Sequence, residues 1–390
     1  MKYKNSCLQD EIYRLTINKI LLKIAINIPV IGREEISAVS SVLKNGKLTS
    51  SASEGGKYVQ TFEKAASSFV KSKYAIAVNS GTAALQAALY ALNIKKGDEV
   101  LVPSFTFVAT ANAVVSTGAK PVFVDILKEN FTIDPDDLQK KITKKTRAII
   151  PVHLYGNVAH VEELSEISKK NNLPIIEDSA QSLGSTYKGK HTGTFFEMGC
   201  YSMYPAKVMT SGEGGFVVTN NKKLRDKLLM IRNHGMIHGY DTRIFGLNLR
   251  LPEINAALAT IQIKKLPNFL KSRKNNAKFL SKLISDLKVE LPYQRKNENV
   301  NWYLYTITTK NRNKILKKLN ENGIGAASYY PTPVHKTPFY KIKVNLPVTN
   351  WASSHVISLP IHPKVTKKNI EFIAKTMRCL LYTSDAADDY

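Results

Sequence analysis

Short apolar runs alternate along the middle of the chain with segments whose apolar residues recur every three or four positions. The runs are rich in β-branched residues and bounded by polar or glycine positions, which predicts buried strands. The spacing in the other segments predicts amphipathic helices, because it places the apolar side chains on one helix face. The predicted strands cover residues 74–78, 99–102, 121–124, 148–152, 174–176 and 215–219, and the predicted helices cover residues 83–92, 108–115, 161–171 and 222–232.

This alternation of strands and helices predicts an α/β fold in which helices cover both faces of a parallel or mixed sheet. After residue 251 the pattern changes to a long helical segment, which is followed by a strand-like run at 301–309 and a helix at 312–323. We therefore expect a large domain over residues 28–250 and a smaller α+β domain over residues 251–378.

The two ends of the chain depart from this pattern. The apolar stretch 17–31 is interrupted by Lys19 and Lys23. It is also shorter than the roughly 20 residues that span a bilayer, so it predicts neither a signal peptide nor a membrane anchor. We expect residues 1–27 to form an N-terminal extension. Residues 379–390 break abruptly from the preceding lysine-rich pattern, and we interpret them as a non-native tail outside the fold.

The composition is that of an ordinary globular protein with a large core, since 43% of the 390 residues are hydrophobic and 22% are charged. The three cysteines, Cys7, Cys200 and Cys379, lie far apart and include no CxxC spacing. This pattern predicts neither a metal site nor a disulfide framework, and it favours a reducing cytoplasm.

The net charge is unusually positive: 56 lysines and arginines outnumber 31 acidic residues, which gives +25. Such an excess attracts anions, including nucleic acid, an acidic membrane surface or a phosphorylated substrate. The lysines are nevertheless scattered along predicted helix surfaces, with no interleaved aromatic residues and no basic tail. We therefore expect a lysine-rich soluble surface and neither nucleic acid nor membrane as a partner.

Residues that could bind a ligand or take part in catalysis follow several of the predicted strands. This is where open α/β sheets place their functional groups. Ser80, Gly81 and Thr82 open a helix after strand 74–78. Their hydroxyls and free N–H groups would make an anion site, although the same residues are also common as a simple helix cap. A second segment, EDSAQS, follows the strand at 174–176 and supplies carboxylates.

A lysine in mostly apolar surroundings completes the set. Lys207 lies within YSMYPAKVMTSGEGG. Burial disfavours its charged form and would leave the amine nucleophilic, as a Schiff-base lysine requires. A phosphate cradle, a carboxylate and such an amine are together what pyridoxal 5'-phosphate needs: an anchor for its phosphate, a partner for its pyridine nitrogen and an amine for its aldehyde.

Several ordered segments resemble the DegT/DnrJ-type nucleotide-sugar aminotransferases, which are pyridoxal-phosphate enzymes of the aspartate aminotransferase fold. The resemblance runs from about residue 28 to residue 378. It implies fold type I, with a mostly parallel seven-stranded sheet sandwiched by helices. The segments are PVIGREEISAV, NSGTAAL, PSFTFVATANAV, GAKPVFVDI, IIPVHLYG, IIEDSAQSLG, SMYPAKVMTSGEGG, GLNLRLPEINAAL and SYYPTPVHK.

The same resemblance implies roles for single residues. Lys207 would bind the cofactor aldehyde covalently and shuttle the proton, and Asp178 would bind the pyridinium nitrogen. Asn248 would reach across a homodimer interface to the partner's phosphate, which would make the active sites shared. The remaining implied contacts are Gln181 at the phenolic oxygen, Phe107 stacked on the ring, Ser202 with Ser80, Gly81 and Thr82 at the phosphate, and His153, Tyr330 and His335 in the sugar pocket.

The expected reaction is the transfer of an amino group from an amino acid, by resemblance glutamate, to a keto sugar linked to a nucleotide. Its product would be an amino sugar for glycan biosynthesis, and the kinetics would be ping-pong. Two alternatives stay open within the same fold. A sugar dehydratase would carry His in place of Lys207, and a non-catalytic regulatory or binding relative would be expected to lose Lys207 or Asp178.

Overall fold

The computed structural model of the protein describes residues 24–385. Its helices are α1 (Arg33–Asn45), α2 (Lys57–Val70), α3 (Gly81–Ala91), α4 (Ala109–Ser116), α5 (Pro135–Lys141), α6 (Val161–Asn171), α7 (Lys222–Arg232), α8 (Glu253–Ile284), α9 (Arg312–Glu321), α10 (Pro347–His355) and α11 (Lys367–Asp385). Its strands are β1 (Tyr74–Val78), β2 (Glu99–Pro103), β3 (Lys120–Val124), β4 (Thr146–Ile149), β5 (Ile176–Asp178), β6 (Thr186–Tyr187), β7 (Lys190–His191), β8 (Met198–Ser202), β9 (Gly215–Thr219), β10 (Glu298–Asn299), β11 (Tyr305–Thr308) and β12 (Val356–Leu359).

Two groups of strands form the central sheet. Strands β3, β2 and β4 pair in parallel, and a second group has the order β1, β9, β8, β5. Isolated parallel bridges from Ile149 to Ile175 and from Val152 to Asp178 join β4 to β5, so seven strands lie side by side. Strand β9 runs antiparallel to both of its neighbours, whereas β5 and β8 are parallel. The expectation of an α/β fold with a mostly parallel sheet is confirmed.

The alternation of side chains along β1 shows why helices cover both faces of the sheet. Ile76 and Val78 belong to the apolar core that α3, α4 and α7 share. Ala75 and Ala77 belong to a second core with α2 and the first half of α8. Successive residues of a strand point to opposite faces, so a run that is apolar throughout is buried on both sides.

A third core lies in the C-terminal part of the chain, where β11 and β12 pair antiparallel and pack against α9, α11 and the second half of α8. The long helix α8 therefore contributes to two cores. The segment at Ile24 also joins this part, because its N–H donates to the carbonyl of Gly323 (3.0 Å). The domain boundary at residue 251 stays a prediction.

The sequence pattern missed one central strand, β8. Its residues are Met, Gly, Cys, Tyr and Ser, which include no β-branched residue. Gly199 packs directly on the backbone of Gly193, where an added Cβ would lie 2.2 Å from the Gly193 Cα. Close packing against another backbone therefore holds this strand, and that is a tertiary contact without a local signal.

At the N-terminal end, residues 1–23 of the predicted extension lie outside the described residues, as do residues 386–390 at the other end. The expectation that residues 379–390 lie outside the fold is wrong for residues 379–385, because they continue α11, and Leu380 and Leu381 pack against the third core. That the tail is non-native stays a prediction. None of the helices within residues 24–385 is both long enough and apolar enough to cross a bilayer.

Candidate active site

The strand topology brings the sequence-predicted residues to one edge of the sheet. Strands β1 and β8 are both antiparallel to β9, and β8 is parallel to β5. The carboxyl ends of β1, β5 and β8 therefore face the same way. Ser80 follows β1, while Asp178 and Ser202 end β5 and β8. This is the edge where open α/β sheets place their ligands.

The turn between β1 and α3 forms a cradle for an anion. Ser80 caps the helix, since its Oγ accepts from the N–H of Ala83 (3.0 Å), and its hydroxyl proton remains free to donate. A Cβ added to Gly81 would lie 2.7 Å from the Cβ of Ser202, so glycine is what lets these two segments approach. Together with Thr82, these residues offer hydroxyls and helix N-terminal N–H groups to a phosphate, which they fit.

Asp178 is buried at the end of β5 and held through both carboxylate oxygens. The Thr110 hydroxyl donates to Oδ2 (2.8 Å), and the N–H of Ala180 donates to Oδ1 (3.1 Å). Burial raises the pKa of Asp178, whereas these two hydrogen bonds and the charge of Lys207 act to lower it. The carboxylate is thus presented in one orientation, as the partner of a protonated ring nitrogen requires.

Lys207 lies in the loop between β8 and β9. Its N–H donates to the carbonyl of Tyr204 (2.9 Å), and the side chain of Asn27 holds the loop through the carbonyl of Pro205 (3.1 Å). Burial lowers the Lys207 pKa to about 8, against the opposing charge of Asp178. Within residues 24–385 no hydrogen bond or ion pair engages Nζ, so the amine is free to react.

The Lys207 amine instead faces an aromatic ring. Its Nζ lies 5.0 Å from the centroid of the Tyr303 ring, a distance at which the ring attracts a cation. Arg273 of α8 holds the backbone of this tyrosine, because its guanidinium donates to the carbonyls of Trp302 (3.2 Å) and Tyr303 (3.1 Å). The ring is therefore fixed beneath the amine.

Gln181 connects the sheet edge to the C-terminal part of the chain. Its Oε1 accepts from the N–H of Tyr155 (2.9 Å), and its Nε2 donates to the hydroxyl of Tyr330 (2.8 Å). The rings of Tyr155 and Tyr330 also stack, with centroids 6.4 Å apart and planes 7° from parallel. The structure thus brings Tyr330 to Gln181. Burial raises the pKa of Tyr330, and the charge of the nearby Asp178 carboxylate adds to this effect.

Phe107 and Asn248 both present side chains to the surface. Phe107 is 58% exposed and lies two residues before the start of α4, and its carbonyl accepts from the N–H of Thr110 (3.2 Å). An exposed aromatic ring therefore stands in the same turn as the hydroxyl that contacts Asp178. Asn248 is exposed, while its carbonyl accepts from the side chain of Asn79, next to the cradle (3.2 Å).

The two histidines predicted for the sugar pocket are buried. His153 accepts the N–H of Ala159 at Nδ1 (3.0 Å) and is bonded at Nε2 to Glu177 (2.9 Å), so both of its ring nitrogens are used. His335 is bonded at Nδ1 to the hydroxyl of Ser104 (2.7 Å) and is 1% exposed. Neither has surface with which to touch a sugar in this chain. The geometry favours structural roles instead.

Thr110 and Tyr303 are site residues that the sequence analysis missed. A weak signal exists for Thr110, which follows Thr106 by four residues and places a second hydroxyl on the face of a largely apolar segment. Tyr303 belongs to a strand-like run in which several aromatic residues occur, and nothing local marks it. Both residues contact partners that are distant in sequence.

An enzyme that moves amino groups with pyridoxal phosphate needs the arrangement described above, and the fold supplies it at the sheet edge. Fold and site thus define a fold type I transferase. The chain belongs to the DegT/DnrJ/EryC1/StrS aminotransferase family, whose sequence profile matches residues 29–378. Aminotransferases of this family depend on pyridoxal phosphate.

Individual relatives cover most of the chain. The dTDP-3-amino-3,4,6-trideoxy-alpha-D-glucose transaminase of Streptomyces venezuelae is 36% identical over 340 residues, which are 86% of this chain and 88% of that protein. A pleiotropic regulatory protein of Geobacillus stearothermophilus is 34% identical over 328 residues, covering 82% and 88%. The crystal structure of S. venezuelae DesV in complex with a ketimine intermediate matches with a TM-score of 0.85 at 34% identity, covering 88% and 93%.

Replacing Gly81 with alanine is expected to weaken pyridoxal phosphate binding by about tenfold. The new Cβ would lie 2.7 Å from the Cβ of Ser202 and force the cradle apart, at a cost typical of overpacking. Gly32→Ala is the matched control, because its nearest neighbour would be an ordinary 3.5 Å away. Titration of the apoprotein with the cofactor measures both affinities, and equal affinities would contradict the cradle.

Glu177 is expected to matter for stability. Its buried carboxylate accepts the N–H groups of Gly193 (2.6 Å), Phe195 (2.7 Å) and Phe196 (3.0 Å), besides the His153 contact. Glu177→Ala should therefore lower the free energy of unfolding by about 3 kcal/mol, measured by urea denaturation. Glu162→Ala, which removes a pair exposed to solvent, is the control and should change it little. Equal effects would contradict the structural role.

Proposed function

We propose that this protein aminates a keto sugar linked to a nucleotide, using glutamate as the amino donor, and so makes an amino sugar for glycan biosynthesis. Transamination is the activity of the family. The observation that carries the assignment to this chain is the free amine of Lys207 beside Asp178, at the edge that also holds the phosphate cradle. The dTDP-sugar relative supports a nucleotide-linked acceptor.

Pyridoxal phosphate, when bound, supplies an aldehyde that carries the amino group and a ring that accepts electrons. Lys207 Nζ, as the free base, removes the proton from the donor α carbon and later returns a proton to the acceptor. Asp178 holds the proton on the ring nitrogen. Gln181 would hold the phenolic oxygen, and Phe107 would cover the ring and exclude water.

The Lys207 pKa predicts how cofactor capture depends on pH. Only the free amine attacks an aldehyde, so the rate of cofactor uptake should rise with pH and level off above about 8. An amine of ordinary lysine pKa would give a rate that is still rising near pH 10. Stopped-flow absorbance after mixing apoprotein with pyridoxal phosphate distinguishes the two profiles, and a rise continuing beyond pH 9 would contradict the lowered pKa.

We further propose a cytoplasmic homodimer with shared active sites. Exposed apolar side chains near the site support an interface, among them Phe107 (58% exposed), Tyr204 (50%) and Phe245 (60%). In this proposal the exposed amide of Asn248 reaches the phosphate held by the partner. Co-expressing Lys207→Ala with Asn248→Ala subunits should restore part of the activity, because mixed dimers contain one intact site. No recovery would argue for independent sites.

The substrate assignment is tested with a panel of nucleotide-linked keto sugars and ¹⁵N-labelled glutamate. Transfer of the label to a sugar, detected by mass spectrometry, supports the proposal and identifies the acceptor. Transfer only to simple keto acids would contradict it.

A regulatory role is the second candidate function for this protein, because one relative is described as a pleiotropic regulatory protein. Lys207 and Asp178 are both retained here, which favours catalysis over regulation, and Lys207 also argues against a dehydratase. Glutamate added to the holoprotein without any sugar should convert the bound cofactor to its amine form, visible as loss of the long-wavelength band. A protein that only regulates would leave the band unchanged.

A further inference from the structure

A chain of two buried hydroxyls ends on the Asp178 carboxylate. The Thr106 and Thr110 Oγ1 atoms lie 3.1 Å apart, and Thr110 Oγ1 lies 2.8 Å from Asp178 Oδ2. Thr106 is 2% exposed and Thr110 is fully buried. A carboxylate can only accept, so the single proton of the Thr110 hydroxyl points to Asp178, and Thr106 must then donate to Thr110. The donor and the acceptor of both hydrogen bonds are thereby set.

The Thr110 contact is unusual for a threonine near a helix start. Such hydroxyls ordinarily bond to the backbone of their own turn. Here the hydroxyl crosses instead to a carboxylate that is 68 positions away in the sequence. The Thr110 hydroxyl therefore donates to Asp178 and makes no hydrogen bond to the backbone at the helix end.

The electrostatic setting of Asp178 makes this hydrogen bond consequential. Burial favours the protonated form of its carboxyl, and a protonated carboxyl has no negative charge with which to keep the ring nitrogen protonated. Four groups favour the charged form: the Thr110 hydroxyl, the Ala180 N–H, Lys207 and His153. Lys207 changes its own charge as it shuttles protons, which leaves Thr110 and Ala180 as constant donors.

We propose that Thr110 is a positioning residue, which holds the Asp178 carboxylate in the charge state and orientation that keep the cofactor ring nitrogen protonated, and that Thr106 directs the Thr110 hydroxyl. This inference rests on the proposed function, because Asp178 has that task only with pyridoxal phosphate bound. Thr110 acts through Asp178 and need not touch the cofactor.

The test compares Thr110→Val, which keeps the shape but removes the hydroxyl, with Thr110→Ser, which retains it. Both holoproteins and the wild type are loaded with pyridoxal phosphate that carries ¹⁵N in the ring, and the ¹⁵N chemical shift reports whether that nitrogen is protonated. We expect a protonated nitrogen in the wild type and in Thr110→Ser. In Thr110→Val the resonance should move toward the unprotonated position, with kcat reduced about tenfold or more.

Thr106→Val provides a second arm, since it leaves the Asp178 contact in place. A smaller ¹⁵N shift in the same direction supports the proposal that Thr106 directs the Thr110 hydroxyl. If Thr110→Val fails to fold or to bind the cofactor, the Thr106→Val result decides the test. Unchanged ¹⁵N shifts in every variant that binds the cofactor would overturn the inference while leaving the aminotransferase proposal intact. A wild-type protein that binds no cofactor would overturn both.

Discussion

Lys207→Ala is expected to abolish transamination and to remove the visible absorption band that pyridoxal phosphate shows when it is bound to a lysine amine. The Lys207 Nζ makes no hydrogen bond or ion pair within residues 24–385, and burial lowers its pKa to about 8. Removing it deletes both the covalent attachment and the general base, and proton transfer by a positioned base alone contributes about 10²–10⁴-fold. Activity should fall to background, measured by amino transfer from glutamate.

Lys64→Ala is the control for this result. Lys64 is an exposed lysine of α2, and its replacement removes one positive charge without touching the site. Activity and absorbance should match the wild type. If Lys207→Ala retained the band, another amine would hold the cofactor, and the assignment of the site would be wrong.

Asparagine in place of Asp178 is expected to leave the cofactor bound but to reduce kcat by about a hundredfold or more. The amide is nearly isosteric and can still accept from Thr110 and Ala180 through its oxygen. It carries no charge, however, so the ring nitrogen loses the anion that keeps it protonated and the ring becomes a poor electron acceptor. Rapid-mixing absorbance of the glutamate half-reaction measures the loss.

Asp226→Asn, at a partly exposed carboxylate of α7, controls for the change in charge and should have no effect. Wild-type turnover in Asp178→Asn would show that Asp178 is not the partner of the ring nitrogen. A variant that lost the cofactor altogether would instead assign Asp178 to binding, against the expectation stated above.

Much of the central fold could be predicted from the sequence because its signals are local. Helices α6 and α7 have the predicted bounds, and β1 and β9 do as well. These segments bury an apolar face or run, so their periodicity is visible in a short window. Strand β8 could not be predicted in this way, because it has no β-branched residue and its Gly199 packs against the backbone of Gly193.

The candidate site likewise contains residues that the sequence indicates and residues that only the packing reveals. Ser80, Gly81, Asp178 and Lys207 carry signals in their own segments, namely an anion cradle, a carboxylate after a strand and a lysine among apolar residues. Each signal is weak alone, and only the three together indicate the cofactor. His153 has a comparable signal in sequence, yet its ring is enclosed and bonded on both nitrogens. Burial is set by what packs on a residue from elsewhere, and one segment cannot show it.

The sequence by itself determined the class of fold, the order of strands and helices along most of the sheet and the chemistry that the chain brings to one edge, since each depends on neighbouring residues. Only the tertiary structure decided that Thr110 meets Asp178, that Tyr303 lies under the Lys207 amine and that Tyr330 holds Gln181. These contacts join residues far apart in the chain. Which residues meet is decided by how whole helices and strands pack together. No short stretch of sequence shows that packing.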